Sequence, residues 1–176
     1  MKLALGTVQF GLDYGISNHH GQVDKAQVAD ILVLAECLGI DTLDCAGAYG
    51  NSEQIIGELL TASPQQSNFN LVSKIPALSR GQSSIAEYFS QSLINLQTDT
   101  IDTLLFHHAD NLLSHPNRAE FFQQLQKLKK QQRVKRIGAS LYSPAQLMSL
   151  SEQYAIDVAQ VPLNIFDQRF IADEII

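Results

Sequence analysis

The 176 residues predict an α/β chain of the (β/α)8 TIM-barrel type, incomplete, with about six βα units present. One partial barrel domain fills residues 1–176, and strands seven and eight are absent from it. Three observations carry this expectation. Short apolar runs alternate with helix-period segments about every thirty residues, the beat of parallel strands joined by helical crossovers. No G-x-G-x-x-G follows the first apolar run: after Val8 the chain reads QFGLDYGISNHHG, without the glycine turn of a doubly wound dinucleotide fold. A complete barrel needs roughly 250 residues, yet the sixth strand ends near Leu163 and Ile176 falls inside a sixth helix. The chain is therefore a fragment of a longer product or a truncated product.

KLALGTV (2–8) reads as a short buried strand. DKAQVADILVLAECLG (24–39) reads as a helix with Val28, Ile31, Leu32, Ala35 and Leu38 on one face, Asp24 at its start and Gly39 past its end. DTLD (41–44) is a strand ending at Asp44, and NSEQIIGELL (51–60) is a helix capped by Asn51 or Ser52, with Ile55, Ile56, Leu59 and Leu60 inward. NLVSK (70–74) is a strand. SIAEYFSQSLINL (84–96) is a helix opened by a Ser84/Glu87 capping box. DTLLFHH (102–108) is a strand, followed by an amphipathic helix over 117–132 carrying Phe121, Phe122, Leu125 and Leu128. RIGAS (136–140) is a strand. SPAQLMSLSEQY (143–154) is a helix with Ser143 as cap, Pro144 in the first turn and Gln146 closing the box. DVAQVPL (157–163) is the sixth strand.

Bulk properties narrow the function. At 45% hydrophobic and 17% charged, the chain supports one core and is not disordered. A net charge of -6 argues against a general nucleic-acid or anionic-membrane binder. Six of the twelve Lys and Arg lie between Lys127 and Arg136. Lys127, Lys129, Lys130 and Arg133 fall at a helix end, where cations complement the dipole, on the rim opposite the strands' C-terminal ends. Two cysteines, Cys37 and Cys45, make no disulfide framework and point to the cytoplasm. The apolar opening breaks at Gln9 and Asp13, too early for a signal peptide, and no stretch reaches membrane-spanning length.

In such barrels the C-terminal strand ends build the site. Asp44 ends strand two and Tyr49 follows in LDCAGAYGNSE; Lys74 ends strand three, His107 strand four and Ser140 strand five, while Gln160 lies in strand six. A phenol with a pKa near 10 is a poor acid at neutral pH, and an adjacent ammonium lowers that value. Lys74 supplies the ammonium, Asp44 pairs with it, and His107 reaches a substrate oxygen. His108 is a rival, but neighbours on a strand face opposite ways, which sends it to the helix layer or to solvent. The same geometry disfavours a metal at His107 and His108, and no spacing resembles a zinc site. Cys45 near the site reads as a small buried thiol.

From Leu3 to Arg169 the sequence resembles the aldo-keto reductase family. The carriers are GTVQFGLDYGIS, DTLDCAGAYGNSE, LVSK, DTLLFHHAD, RVKRIGASLYSPAQL and DVAQVPLNIFDQR. The resemblance implies hydride transfer from NADPH, or NADH, to an aldehyde or ketone. Tyr49 would be the general acid, Lys74 would lower its pKa, Asp44 would support Lys74, and His107 would orient the carbonyl. The spacing from Asp102 favours His107 over His108. Ser140 and Gln160, with Asp44 beside them, would lie on the nicotinamide carboxamide. Leu141 replaces an Asn that often follows the strand-five Ser, and the family's phosphate-binding segments lie mainly after strands seven and eight. Phe10 and Tyr14 suggest an apolar pocket wall. The wording around GTVQFGLDYGISN and NIFDQRF is similar to bacterial members associated with sugar or polysaccharide metabolism. Two other readings stand beside this one. The chain could be an inactive barrel fragment that self-associates or binds a partner through open strand edges. Alternatively, Lys74 could form a Schiff base in an aldolase-type barrel.

Overall fold

The structure, a computed structural model, describes residues 2–63 and 69–172. Strands and helices alternate as β1 (Leu5–Gly6), α1 (Val8–Gly11), α2 (Lys25–Cys37), β2 (Thr42–Asp44), α3 (Ser52–Ala62), β3 (Asn70–Ile75) and α4 (Ala86–Leu96). They continue as β4 (Ile101–Phe106), α5 (Ala109–Leu113), α6 (Arg118–Lys130), β5 (Val134–Ser140), α7 (Pro144–Gln153), β6 (Val158–Gln160) and α8 (Arg169–Ala172). The six strands form one sheet in sequence order, every neighbouring pair parallel, curled as an incomplete (β/α)8 wall. The sixth helix expected to run to Ile176 lies, from residue 173 on, outside the described residues.

Local chemistry explains most boundaries. The Asp24 side chain accepts the Gln27 amide at 2.9 Å and starts α2, and Gly39, at a left-handed φ of 72°, follows its end. Val28, Leu32 and Ala35 are buried, but Leu38 is 69% exposed because it sits past the last helical turn, where the face no longer meets the sheet. The Ser143/Pro144/Gln146 box forms as expected at α7. The Ser84/Glu87 box does not. The helix starts at Ala86 with Ile85 in the cap position, so Ser84 sits one residue too early: its hydroxyl accepts the Ala86 amide at 3.1 Å, while the Ile85 amide is held by Gln124 Oε1 of α6 at 2.9 Å. The first strand is shorter than 2–8. Its end turns into α1, which drives Phe10 into the core at 3% exposure.

Residues alternate across each strand. On β3, Ser73 faces the helix layer, where its hydroxyl meets α3 and α4, and Lys74 faces the barrel interior, where it meets Asp44. Phe106, Phe121 and Phe122 pack with centroids 5.8 to 6.3 Å apart between β4 and α6. The basic run ends α6 as expected, with Lys129 bridging Asp157 and, farther on, Lys135 bridging Asp102. Among the described residues, no helix is long and apolar enough to cross a membrane.

Helices α3 and α4 touch through Gly57, where an added Cβ would lie 2.2 Å from the Asn95 carbonyl oxygen. Both partners there are backbone, so neither can rotate away. Gly57→Ala is expected to cost about 1–3 kcal/mol by overpacking, visible as a lower midpoint in urea unfolding with an unchanged slope.

Candidate active site

Five strands deliver side chains to one rim. Asp44 is the last residue of β2, Lys74 sits one before the end of β3, His107 follows β4, and Ser140 ends β5 opposite Gln160 of β6. The Lys74 side chain is 2% exposed. Its ammonium donates to Asp44 Oδ1 at 2.6 Å, to the Cys45 carbonyl at 2.8 Å and to the Tyr49 hydroxyl at 3.5 Å. Asp44 Oδ2 in turn accepts from Gln160 Nε2 at 3.0 Å, tying β2, β3 and β6 together. The Tyr49 and His107 rings meet edge to face, 5.6 Å between centroids at 79°. Asp44, Tyr49, Lys74, His107 and Gln160 thus share one contact network, and Ser140, nearly buried, borders it across the β5–β6 register.

The loop that presents Tyr49 is clamped from behind. An added Cβ on Gly11 would lie 1.8 Å from the Tyr49 carbonyl oxygen, so only glycine lets the two loops meet. Gly50 takes a left-handed φ of 57°. The Ser52 hydroxyl donates to the Thr7 carbonyl at 2.8 Å, and the Thr7 hydroxyl to the Asp44 carbonyl at 3.0 Å. None of these partners is marked in the sequence, since each contact joins residues far apart along the chain.

Three expectations need correction. Burial, followed by the Asp44 carboxylate, pushes the Tyr49 phenol up to about 12 rather than down. The Lys74 charge is directed at Asp44, 2.6 Å away, and a nearly neutral ion pair at 3.5 Å does not offset desolvation. Phe10 belongs to the core rather than to an exposed wall. His108 reaches solvent as expected, but not by turning away from His107. Both residues follow the strand's end, where alternation lapses, and their rings stack at 4.8 Å with His108 exposed to solvent.

Burial, then Lys74 and His108, lower His107 to about 4, with Asp44 opposing. The imidazole is therefore neutral near pH 7, and its Nδ1 is buried without a partner among the described residues. A folded value below the ordinary 6.5 means that His107 favours the folded state above that value. The contribution is lost as pH falls toward 4. An NMR titration of the imidazole should find its midpoint at about 4, and a midpoint near 6.5 would contradict the burial. Cys45 is fully buried and its thiol is pushed up to about 12, an unreactive form. Leu141 is fully buried and offers the pocket only its backbone, its amide donating to the Gln160 carbonyl at 2.8 Å. Among the described residues no group of three His, Cys, Asp or Glu could hold a metal. Three hollows of about 750, 600 and 530 Å³, two along Thr100 and Gln97 and one between Gln9 and Gln27, include none of the six rim residues. An open wall of six strands leaves its rim as a surface rather than a closed pocket.

A model of the Aldo/keto reductase family matches residues 2–176. The oxidoreductase YdhF of Escherichia coli strain K12 is 32% identical over 153 residues, covering 77% of this chain and 50% of that protein. The aldo-keto reductase YhdN of Bacillus subtilis strain 168 is 27% identical over 178 residues, covering 96% and 51% respectively. A solved structure from Pseudomonas aeruginosa, an aldo-keto reductase by name, superposes with a TM-score of 0.76 at 29% identity over 96% of this chain and 66% of that one. An aldo/keto reductase from Klebsiella pneumoniae, solved in complex with NADP and acetate, has a TM-score of 0.74 at 22% identity, covering 97% and 57%; that likeness bears on the fold. The chain spans about half the length of these two curated relatives.

Proposed function

The chain belongs to the aldo/keto reductase family, and from that premise we propose that it carries the proton-donor centre of an NAD(P)H-dependent carbonyl reductase acting on an aldehyde or ketone. The observation that carries this reading is the single ammonium, Lys74 Nζ, shared among Asp44, the Cys45 carbonyl and the Tyr49 hydroxyl. Residues 1–176 act in it as one partial barrel domain. The site would work in the cytoplasm.

The residues suit the nicotinamide end of the cofactor. Gln160 uses its amide N–H on Asp44, which leaves its side-chain carbonyl free to accept from a carboxamide, and the Ser140 hydroxyl stands beside it. When bound, the cofactor supplies a hydride to the carbonyl carbon. Tyr49 gives its phenolic proton to the carbonyl oxygen, and it is fully protonated at neutral pH for that task. Lys74 stabilises the phenolate left behind, and Asp44 holds Lys74 in place. Neutral His107 orients the carbonyl through an N–H. An ion-paired and buried Nζ lacks the free lone pair that a Schiff base needs, which favours this reading over the aldolase one.

The test is isotope transfer. NADPH deuterated at C4 of the nicotinamide is incubated with a panel of aldehydes and ketones and with the polypeptide that contains this chain. Deuterium at the alcohol carbon of a product supports the reading. No label in any product and no NADPH consumption across the panel overturns it.

A second reading has its own observation. The outer edges of β1 and β6 pair with no strand among the described residues, and Ile165 and Phe166 beside β6 are 78% and 93% exposed. An inactive fragment that self-associates through those edges would elute as a dimer or larger in gel filtration.

A further inference from the structure

We propose that Glu53 is a positioning residue: by holding Ser73, it sets where the Tyr49 phenol stands against Lys74 and His107. The inference deepens the reading above, on which its relevance to turnover rests.

Glu53 lies in the first turn of α3 and is 2% exposed. Its carboxylate accepts the Ser73 hydroxyl and, at 3.4 Å, the Asn95 amide; Ser73 Oγ is also 3.3 Å from Ser92 Oγ. No cation pairs with it among the described residues, and the helix N-terminus and these neutral donors carry its charge. A buried carboxylate of this kind is a poor means of stabilising a core, where a well-packed apolar side chain does as well or better. What it supplies is a fixed direction.

That direction matters because of what its ends join. Ser73 is the chain neighbour of Lys74, on the opposite face of β3. Glu53 follows Tyr49 by four residues, and the Ser52 amide donates to the Tyr49 carbonyl at 3.1 Å, so the helix entry and the Tyr49 loop move as one piece. The Ser52 hydroxyl anchors this piece to Thr7 on the β1 side, and Glu53 anchors it on the β3 side. Beside the second anchor lies a cavity of about 150 Å³ with Gly47, Glu53, Lys74, Ser92 and Asn95 among its walls. Deleting the carboxylate therefore leaves α3 room to shift, and the Tyr49 ring shifts with it.

The edge-to-face contact of Tyr49 and His107 reports such a shift without cofactor or turnover, because ring currents change with distance and tilt. Histidine ring resonances of the 176-residue chain are compared for wild type, Glu53→Ala, Glu53→Gln, Ser73→Ala and Tyr49→Ala, with urea unfolding alongside. Tyr49→Ala marks the position of the His107 signal when the contact is lost. The Glu53→Ala and Ser73→Ala signals are expected to move toward that mark, and Glu53→Gln, which keeps an acceptor oxygen for Ser73, is expected to stay with wild type. If Glu53→Ala does not fold, Ser73→Ala and Glu53→Gln decide. A His107 signal that stays at its wild-type position in Ser73→Ala and in any folded Glu53→Ala, while the urea midpoint falls, overturns the proposal. So does a Glu53→Gln signal displaced as far as the Tyr49→Ala mark. Failure of deuterium transfer leaves this result standing, and failure here leaves the carbonyl-reductase reading standing.

Discussion

Tyr49→Phe is expected to lower kcat for carbonyl reduction by about 10²–10⁴-fold, the usual worth of a positioned general acid. That range corresponds to about 3–5 kcal/mol of transition-state stabilisation carried by one hydroxyl. The phenol is well placed for the loss to fall on the chemical step. Held at about 12, it is protonated at neutral pH, so it enters the reaction as a donor. The ammonium 3.5 Å away matters little to the resting phenol but stabilises the phenolate that proton transfer creates. Phe keeps the ring, and with it the edge contact to His107, so the site's packing survives. Cofactor affinity should be unchanged, because the proposed reading gives the carboxamide to Ser140 and Gln160. Stability should change little, since the lost hydroxyl makes one long hydrogen bond. The measurements are steady-state NADPH oxidation and a fluorescence titration with NADPH, both on the polypeptide that contains this chain. A variant within a few-fold of wild-type kcat would remove Tyr49 from the donor role.

Much of this site was readable from the chain because parallel strands put their C-terminal residues on one rim, so order and spacing stand in for position. Asp44, Lys74 and His107 each lie at, one before or just past the end of a strand whose apolar run is plain. The Ser143 box was legible for a similar reason, its partners being three residues apart. What escaped depends on distant partners. Ser84 and Glu87 have the right spacing for a box, but Gln124, far along the chain, holds the Ile85 amide and the helix begins one residue later than the box requires. Phe10 has the composition of a pocket wall, yet the turn after β1 directs it inward. The direction of the Tyr49 shift could not be read at all. It depends on how closely Asp44 engages the ammonium and how dry the loop is, and both are three-dimensional quantities. Glu53 sits in the GNSE stretch, where its spacing from the cap suggests an ordinary first-turn acid. Only its burial and its bond to Ser73 set it apart.

Lys74→Met tests whether the ammonium acts on chemistry or only on architecture. Met fills the volume of the lysine stem without its charge, so the backbone of β3 should hold. The Asp44 carboxylate then loses its 2.6 Å partner and keeps only the Gln160 amide. Breaking a buried pair from one side costs about 3–5 kcal/mol, because the other charge is left uncompensated. Here Asp44 is 21% exposed and can recruit water, which places the expected loss near the low end, at about 3 kcal/mol. Adding Asp44→Asn removes the stranded charge, so the double variant should recover part of that stability in urea unfolding. Activity should not recover with it. The Asp44→Asn change restores the balance of charge but supplies no ammonium to the phenolate, so kcat should stay depressed in both the single and the double variant. A double variant that regains stability and turnover together would make Lys74 a structural lysine. Regained stability without turnover would separate the two roles, leaving to the ammonium the part that only the transition state draws on.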